Sequence, residues 1–362
     1  MSMTTSSPSV RSSSSRLARI GGLPLIACYV AAAILIPYIA GGSYLFTWTA
    51  AAIWVLFALG TNVLFGWTGL LSFGQTAFLG IGAYSLAIMH EQFPDVPGPV
   101  LLIVGGVIAA LVGAVFAAGA LRSSGAEFAV LTLALAQVLW LLTYRVPGLN
   151  GDDGFAGLYD IKIFGSKTLD TDLDLWYYVI VVVLICSWLL WMLYNSSLGA
   201  AMRAVRDDPW RAAALGLKVR GVQIAAFSIG AGFSAVAGGL MAQHQGVVSP
   251  SLLSLTISGE VLVACLVGGQ RVFAGPALGA VVLIMSQELL TGVTAESELF
   301  VGVLLLVIVL VLPAGLTSLP GRLRSAWSRR GRAGGPRGPA PERIDGDADT
   351  SVVVEREQEE VR

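Results

Sequence analysis

Charge is what this chain has least of. Of its 362 residues only 12% are charged and 55% are hydrophobic, and the mean hydropathy is +0.76. A soluble domain carries about 25% charged residues, so this chain cannot cover a globular surface of its length, and a soluble enzyme of one or two domains is excluded. A formal net charge of −1 offers no basic face to a nucleic acid. Cysteine is scarce too: Cys28, Cys186 and Cys265 each lie inside an apolar run and read as small buried hydrophobes, not as a disulfide framework. The two histidines, His90 and His244, are too few and too far apart for a metal centre. No G-x-x-x-x-G-K-[S/T] loop occurs and no strand-periodic segment exists to hold one. The chain is therefore expected to hydrolyse no ATP itself, to be no enzyme and to hold no cofactor. What remains is a polytopic membrane protein.

What is present is a series of apolar runs, each near the 20 or so residues that a spanning helix needs. Ten are expected, at 20–40, 44–65, 67–89, 99–121, 126–144, 176–194, 222–243, 253–269, 272–290 and 298–318. The first follows Arg11, Arg16 and Arg19 and is longer than a signal-peptide core of about 7–15 residues. Residues 1–19, rich in Ser, read as a disordered lead-in. An even count places both termini on one side of the membrane. With that side inside, the pieces 1–19, 122–125, 195–221, 270–271 and 319–362 hold 19 of the 22 Lys and Arg residues, leaving only Arg145, Lys162 and Lys167 outside. That is the expected inward bias of positive charge. The tail 319–362 divides by sign, with seven basic residues and one acid over 319–343 and two basic and seven acidic over 344–362. Its Pro, Gly and charge content predicts disorder.

Two segments break the pattern. Segment 67–89 carries several glycines and a mid-segment Gln75, and segment 253–269 is short and preceded by VVSPSLLSL with Pro250. In a bilayer, irregular backbone survives only where protein or a water-filled cavity surrounds it. Interrupted segments at matching places in two halves point to a transport pathway, so 67–89 is expected to be a discontinuous helix there. Close helix packing is the alternative for single small residues such as Ser234, Gly238, Gly275 and Gly279. Polar side chains inside spans are costly and face a bundle interior or cavity. Ser72, Gln75, Gln137 and Glu260 are accordingly the expected pathway residues, because a solute that must be released needs few donors and acceptors. Glu260 has a second reading, as a partner of Arg271, and Gln137 has one as a bridge between helices. Glu127 and Glu288 lie near an interface and can reach water.

The stretch 195–221 is hydrophilic yet helical in pattern. Asp207 or Asp208 can cap a helix in which Pro209 occupies the first turn, and Trp210, Ala213, Ala214 and Leu217 then share one apolar face. Such a helix, flanked by Arg203, Arg206 and Arg211, suits a groove on a partner or an anionic lipid surface equally well.

Four runs together resemble one family: NVLFGWTGLLSFGQTAFLGIGAY (62–84), SLGAAMRAVRDDPWRAAALGLKV (197–219), AFSIGAGFSAVAGGLMAQHQGVVSP (226–250) and LVGGQRVFAGPALGAVVL (266–283). They are similar, in order and spacing from about residue 44 to 318, to the LivM-type branched-chain amino-acid ABC transporter permeases. Urea and short-chain amide permeases share much of the pattern. The resemblance implies an all-α integral membrane protein with about ten hydrophobic segments, some discontinuous or re-entrant, forming a permease domain over 20–318. It implies a cytoplasmic coupling helix within 203–216, with Arg203, Arg206, Asp207, Asp208, Arg211 and Gly216 serving attachment to an ATPase. It also implies a second homologous permease subunit, two ATP-binding subunits carrying ATP and Mg, and an extracytoplasmic solute-binding protein. The location implied is a bacterial-type inner membrane, multi-pass, with both termini cytoplasmic. The expected function is import of branched-chain or other hydrophobic amino acids, with urea or a short amide as the alternative. An ion-coupled secondary transporter or facilitator is the alternative of another class. The external loop 145–175 holds six aspartates against three basic residues, and Asp152 and Asp153 are candidates for docking the binding protein, a solvated loop being the plainer reading. This sequence departs from the family where a Gly-Gly-Thr-Asp-Gly-like motif is usual: it has Asn150-Gly151-Asp152-Asp153-Gly154, which leaves the substrate open. The resemblance does not cover the tail beyond Pro320.

Overall fold

A bilayer supplies no hydrogen bonds to the backbone, so an apolar segment crossing it closes its amides within itself as a helix. The computed structural model describes residues 41–158, 162, 171–291, 302 and 315–316. The expected first span 20–40, the lead-in 1–19 and the tail 319–362 lie outside the described residues, as does all but a few residues of 298–318. Within them the chain runs α1 (Gly41–Thr68), α2 (Gln75–Gln92), α3 (Gly98–Ala120), α4 (Ala126–Arg145), β1 (Phe155–Ala156), α5 (Asp172–Asn195), α6 (Ser197–Asp207), α7 (Pro209–Ala214), α8 (Val219–Gln245), β2 (Val247–Val248), α9 (Leu255–Gly268) and α10 (Gly275–Thr291). Short 3-10 turns stand at Gly151–Asp153 and Pro250–Leu253.

Each expected apolar segment in this range is helical over most of its length. Five helices, α1, α3, α4, α5 and α8, are long and apolar enough to cross a membrane. The others are shorter. The 14 residues of α9 extend about 21 Å at 1.5 Å per residue, less than the roughly 30 Å of a hydrocarbon core. Segment 67–89 is not one helix: Trp67 and Thr68 finish α1, the backbone over 69–74 is irregular, and α2 starts only at Gln75.

The centre of the bundle is α1, α2 and α8, drawn together by small residues. A Cβ on Gly82 would lie inside the Ala235 carbonyl, and one on Gly238 inside the Leu79 carbonyl, so the α2 and α8 backbones touch. The pair α9 and α10 meets the same way through Gly268, Gly275 and Gly279. That is the close packing expected for Gly238, Gly275 and Gly279. Helices α3, α4 and α5 form the rim, with rows of Val, Ile and Leu facing outward. Cys186 and Cys265 are free and buried, as small hydrophobes should be; Cys28 lies outside the described residues.

One end of the bundle carries the α6–α7 connector and the other the strand pair. Past α8, Gly246 turns the chain at φ +68°, and β2 pairs antiparallel with β1, Phe155 opposite Val248 and Ala156 opposite Val247. The chain then dives back into the bundle, packing Pro250–Leu253 against α2 and α4 before α9 begins. This re-entrant passage is why α9 is short.

Candidate functional site

The two interruptions expected from sequence meet in space. Ser258, in the first turn of α9, shares a hydroxyl hydrogen bond of 2.7 Å with Thr76 in the first turn of α2. The same Ser258 Oγ donates to the Phe73 carbonyl at 2.7 Å, in the irregular stretch before α2. From the far side α4 contributes Thr132, whose Oγ1 accepts from the Phe73 amide at 3.1 Å and donates to Ala129 O at 2.8 Å. Ser72 Oγ accepts from the Gly74 amide at 3.2 Å, and Ser254 Oγ caps α9 by accepting from the Ile257 amide at 3.4 Å. Irregular backbone inside the bundle is thus satisfied by hydroxyls from two separate helices, α9 and α4, and by Ser72 of the stretch itself, which is what a low-dielectric interior demands. Beside this junction Ser234 of α8 donates to Gln75 Oε1 at 3.1 Å, and Gln75 Nε2 is buried with no partner among the described residues. The N-termini of α2 and α9 converge here, each with the partial positive charge of a helix start.

Of the four expected pathway residues, the structure brings Ser72 and Gln75 to this junction. It does not bring Gln137, which lies on the exposed face of α4, or Glu260. Glu260 Oε1 accepts from Gln287 Nε2 of α10 at 3.3 Å, and among the described ion pairs none joins it to Arg271. Thr76, Thr132, Ser258 and Gln287 are not singled out by the sequence, and Ser234 only as a small packing residue. The spacing of hydroxyls inside apolar runs carried no sign that they face one another.

The connector is two helices and not one. Ser196 caps α6, its Oγ accepting from the Gly199 amide at 3.2 Å and donating to Leu193 O at 2.7 Å. Asp208 ends α6 and begins α7, its Oδ1 accepting from the Trp210 and Arg211 amides at 3.0 and 3.1 Å. The capping residue is therefore Asp208, while Asp207 pairs with Arg206 at 2.8 Å. Gly216 lies just past α7 at φ +84°, with Gly216 N to Ala213 O at 2.9 Å and Leu217 N to Ala212 O at 3.1 Å. That bond pair is a Schellman stop, so Gly216 terminates α7 from just outside the helix.

Arg203 and Arg206, expected to serve attachment to a partner, make their contacts within the chain. Arg203 Nη1 donates to Tyr194 O at 2.6 Å and its guanidinium stacks 4.3 Å over the Tyr194 ring. Arg206 Nη1 donates to Gly66 O near the end of α1 at 2.6 Å. Both are turned inward, because the last carbonyls of α1 and α5 lack helical partners and attract cations. Only Arg211 reaches outward, paired with Asp208 at 3.0 Å. Beside Arg211, the free surface of the connector carries two large apolar side chains: Trp210 is 87% exposed and Leu215 83%.

At the strand end, Asp152 and Asp153 are exposed on the 3-10 turn. Asn150, at φ 58°, fixes this loop by donating from Nδ2 to Gly154 O at 3.1 Å. Among the described residues no group of His, Cys, Asp and Glu could hold a metal ion.

Comparison with known proteins agrees with this architecture. The chain is 27% identical over 271 residues to the high-affinity branched-chain amino acid transport system permease protein LivM of Escherichia coli K12, covering 68% of this chain and 64% of that protein. It is 28% identical to the LivM protein of Salmonella typhimurium, with the same coverage. It is also 25% identical to the probable branched-chain amino acid transport permease protein LivH of Methanocaldococcus jannaschii, covering 68% of this chain and 83% of that one. The match thus spans a little under two thirds of the LivM relatives' length. No solved structure matches. The model of one family, described as branched-chain amino acid transport system / permease component, matches residues 43–312, and with three quarters of its length inside that match the chain belongs to this family of membrane transport permeases.

Proposed function

We propose that the chain is a permease subunit of an ATP-driven importer of branched-chain or other hydrophobic amino acids. It works with a second permease, two ATP-binding subunits and an extracytoplasmic solute-binding protein, in a membrane that both its termini face from the cytoplasmic side. The observation carrying this reading is the connector. Helix α7 is stopped at both ends, by Asp208 and by the Gly216 turn, and presents Trp210 and Leu215 to solvent. An exposed aromatic and leucine on a rigid projecting element suit an apolar groove on a partner. Behind it, α6 is tied to the end of α1 by the Arg206–Gly66 bond. Three residues beyond Gly66 the chain enters the irregular stretch that leads to the hydroxyl junction. A push on α7 from a closing ATPase therefore travels through α6 to the backbone break before α2.

The convergence of two helix N-termini supports an amino acid over urea. A carboxylate is stabilised near such termini, and a neutral amide gains far less. Asp152 and Asp153, exposed at the opposite end, suit contact with a binding protein.

Reconstitution in vesicles with the partner subunits tests the reading. Trp210→Asp with Leu215→Asp should leave the chain inserted but lower ATP-dependent leucine uptake at least tenfold, with the ATPases lost or uncoupled. Arg206 is left intact in this variant because it braces α6. Full uptake by the double variant, or gradient-driven uptake by this chain alone without ATP, overturns the proposal.

A further inference from the structure

The three rim helices present different faces to their surroundings. Along α3 the exposed row is Ile103, Val107, Leu111 and Val115, and along α5 it is Val181, Ile185, Trp188 and Met192. Acyl chains satisfy such rows. The exposed row of α4 is Val130, Ala134, Gln137, Val138 and Leu141, with an amide near the middle of the helix. The Gln137 side-chain amide makes no hydrogen bond to any other described residue. Lipid offers a carboxamide neither donor nor acceptor, and leaving one unpaired at that depth is costly. Ala134, one turn away on the same face, lets another backbone approach closely.

The opposite face of α4 is committed to the junction, through Thr132 bonded to Phe73 and through contacts with Pro250–Leu253. A single helix therefore separates the hydroxyl junction from whatever lies against Gln137. The relatives suggest what that is, since E. coli K12 contributes two permease proteins, LivM and LivH, that both resemble this chain. Two similar chains can meet through like faces about an approximate two-fold axis, so that each presents its own α4.

We propose that the outward face of α4, centred on Gln137, is the seam against the second, homologous permease subunit, with the Gln137 amide hydrogen-bonded to a polar side chain of the facing helix. This rests on the importer reading above. Gln137 then acts at the subunit boundary, one helix removed from Ser72 and Gln75.

The test uses the assembled complex in membranes. Gln137→Cys, combined with a cysteine at the aligned position of the partner permease, should form an oxidant-induced heterodimer crosslink, and Ile185→Cys with the same partner should not. Gln137→Leu should lower co-purification of the partner at least tenfold while Gln137→Asn retains it. If the complex purifies intact yet Gln137→Cys gives no crosslink and reacts with a lipid-phase maleimide as fast as Ile185→Cys, the seam is wrong. A crosslink only between two copies of this chain also overturns the assignment to a different subunit. If the unaltered chain brings down no second permease at all, the importer reading itself fails, and the seam fails with it.

Discussion

Helices α1 and α4 are almost equally apolar in sequence, yet 89% of the apolar stretch of α1 is buried inside the chain against 28% of that of α4. Hydropathy finds a span because lipid and protein interior are both apolar. For the same reason it cannot say which of the two a helix faces. What sorts centre from rim is the small residue that lets backbones touch and the hydroxyl that bonds across helices. Both abound where α1, α2, α8 and α9 meet. The inward face of α3 has them too, through Gly105, Gly106 and Gly113, but the outward faces of the rim helices are rows of Val, Ile and Leu, and there Gln137 is the exception.

Glycine substitutions should break this comparison most sharply. At the centre, Gly82→Val drives a side chain into the Ala235 carbonyl, and a main-chain atom in a helix cannot step aside. Overpacking typically costs about 1–3 kcal/mol when neighbours relax, and here they cannot. The expected outcome is no detergent-stable monodisperse protein. On the rim, Gly119→Val has nothing within 4 Å of its Cβ and should match the parent in yield and in melting temperature. Equal behaviour of the two variants would show that the α2–α8 contact is looser than described.

The hydroxyl junction sharpens the same contrast at smaller amplitude. Ser258→Ala removes the bonds to Thr76 and to the Phe73 carbonyl. Interhelical hydrogen bonds in membranes average about 0.6 kcal/mol each, so roughly 1 kcal/mol should be lost, read as a fall in melting temperature. On the rim side of α8, Ser228→Ala removes one bond, to Ala110 O at 2.8 Å. It should cost about half as much. Ser258→Thr, which keeps the oxygen, should recover most of the loss, and an equal loss in Ser228→Ala would remove the distinction.

Five of the expected spans, α1, α3, α4, α5 and α8, were legible in the sequence through their length and lack of charge. The break before α2 was legible too, since Gly69, Gly74 and Gln75 cannot be read as lipid-facing helix. The partners of that break were not, because a serine or threonine in an apolar run most often bonds its own helix. Thr132 does so as well, to Ala129, and nothing in its neighbours announces the second bond to Phe73. Arg206 failed for another reason. Sequence shows that a cation sits between two spans, but its direction depends on the unpaired Gly66 carbonyl, which exists only once α1 has ended nearby. Gln137 was noticed as polar and grouped with Ser72 and Gln75, yet it lies on the exposed face of α4, since periodicity gives the face of a helix but not which face is inward.

The smallest expected effect lies outside the bundle, where the loop between α2 and α3 meets Lys162. Lys162 Nζ bonds Asp95 Oδ1 at 2.6 Å, and the Gly98 amide donates to Lys162 O at 2.8 Å. The hydrogen bond from Lys162, and then its charge, hold the Asp95 carboxyl below its ordinary range. A carboxylate whose folded value is lowered adds stability above its unfolded pKa of about 4 and loses it as pH falls through the lowered value. Asp95→Asn should therefore melt slightly below the parent at neutral pH and low salt, and the gap should close in acid. Because Asp95 is exposed, about 1 M salt, with a Debye length near 3 Å, should close it as well. Lys162→Met should behave the same way, since its main-chain bond to Gly98 survives the change. A gap that persisted in acid and in high salt would mean that the side chains position this loop by packing, and that the ion pair contributes nothing of its own.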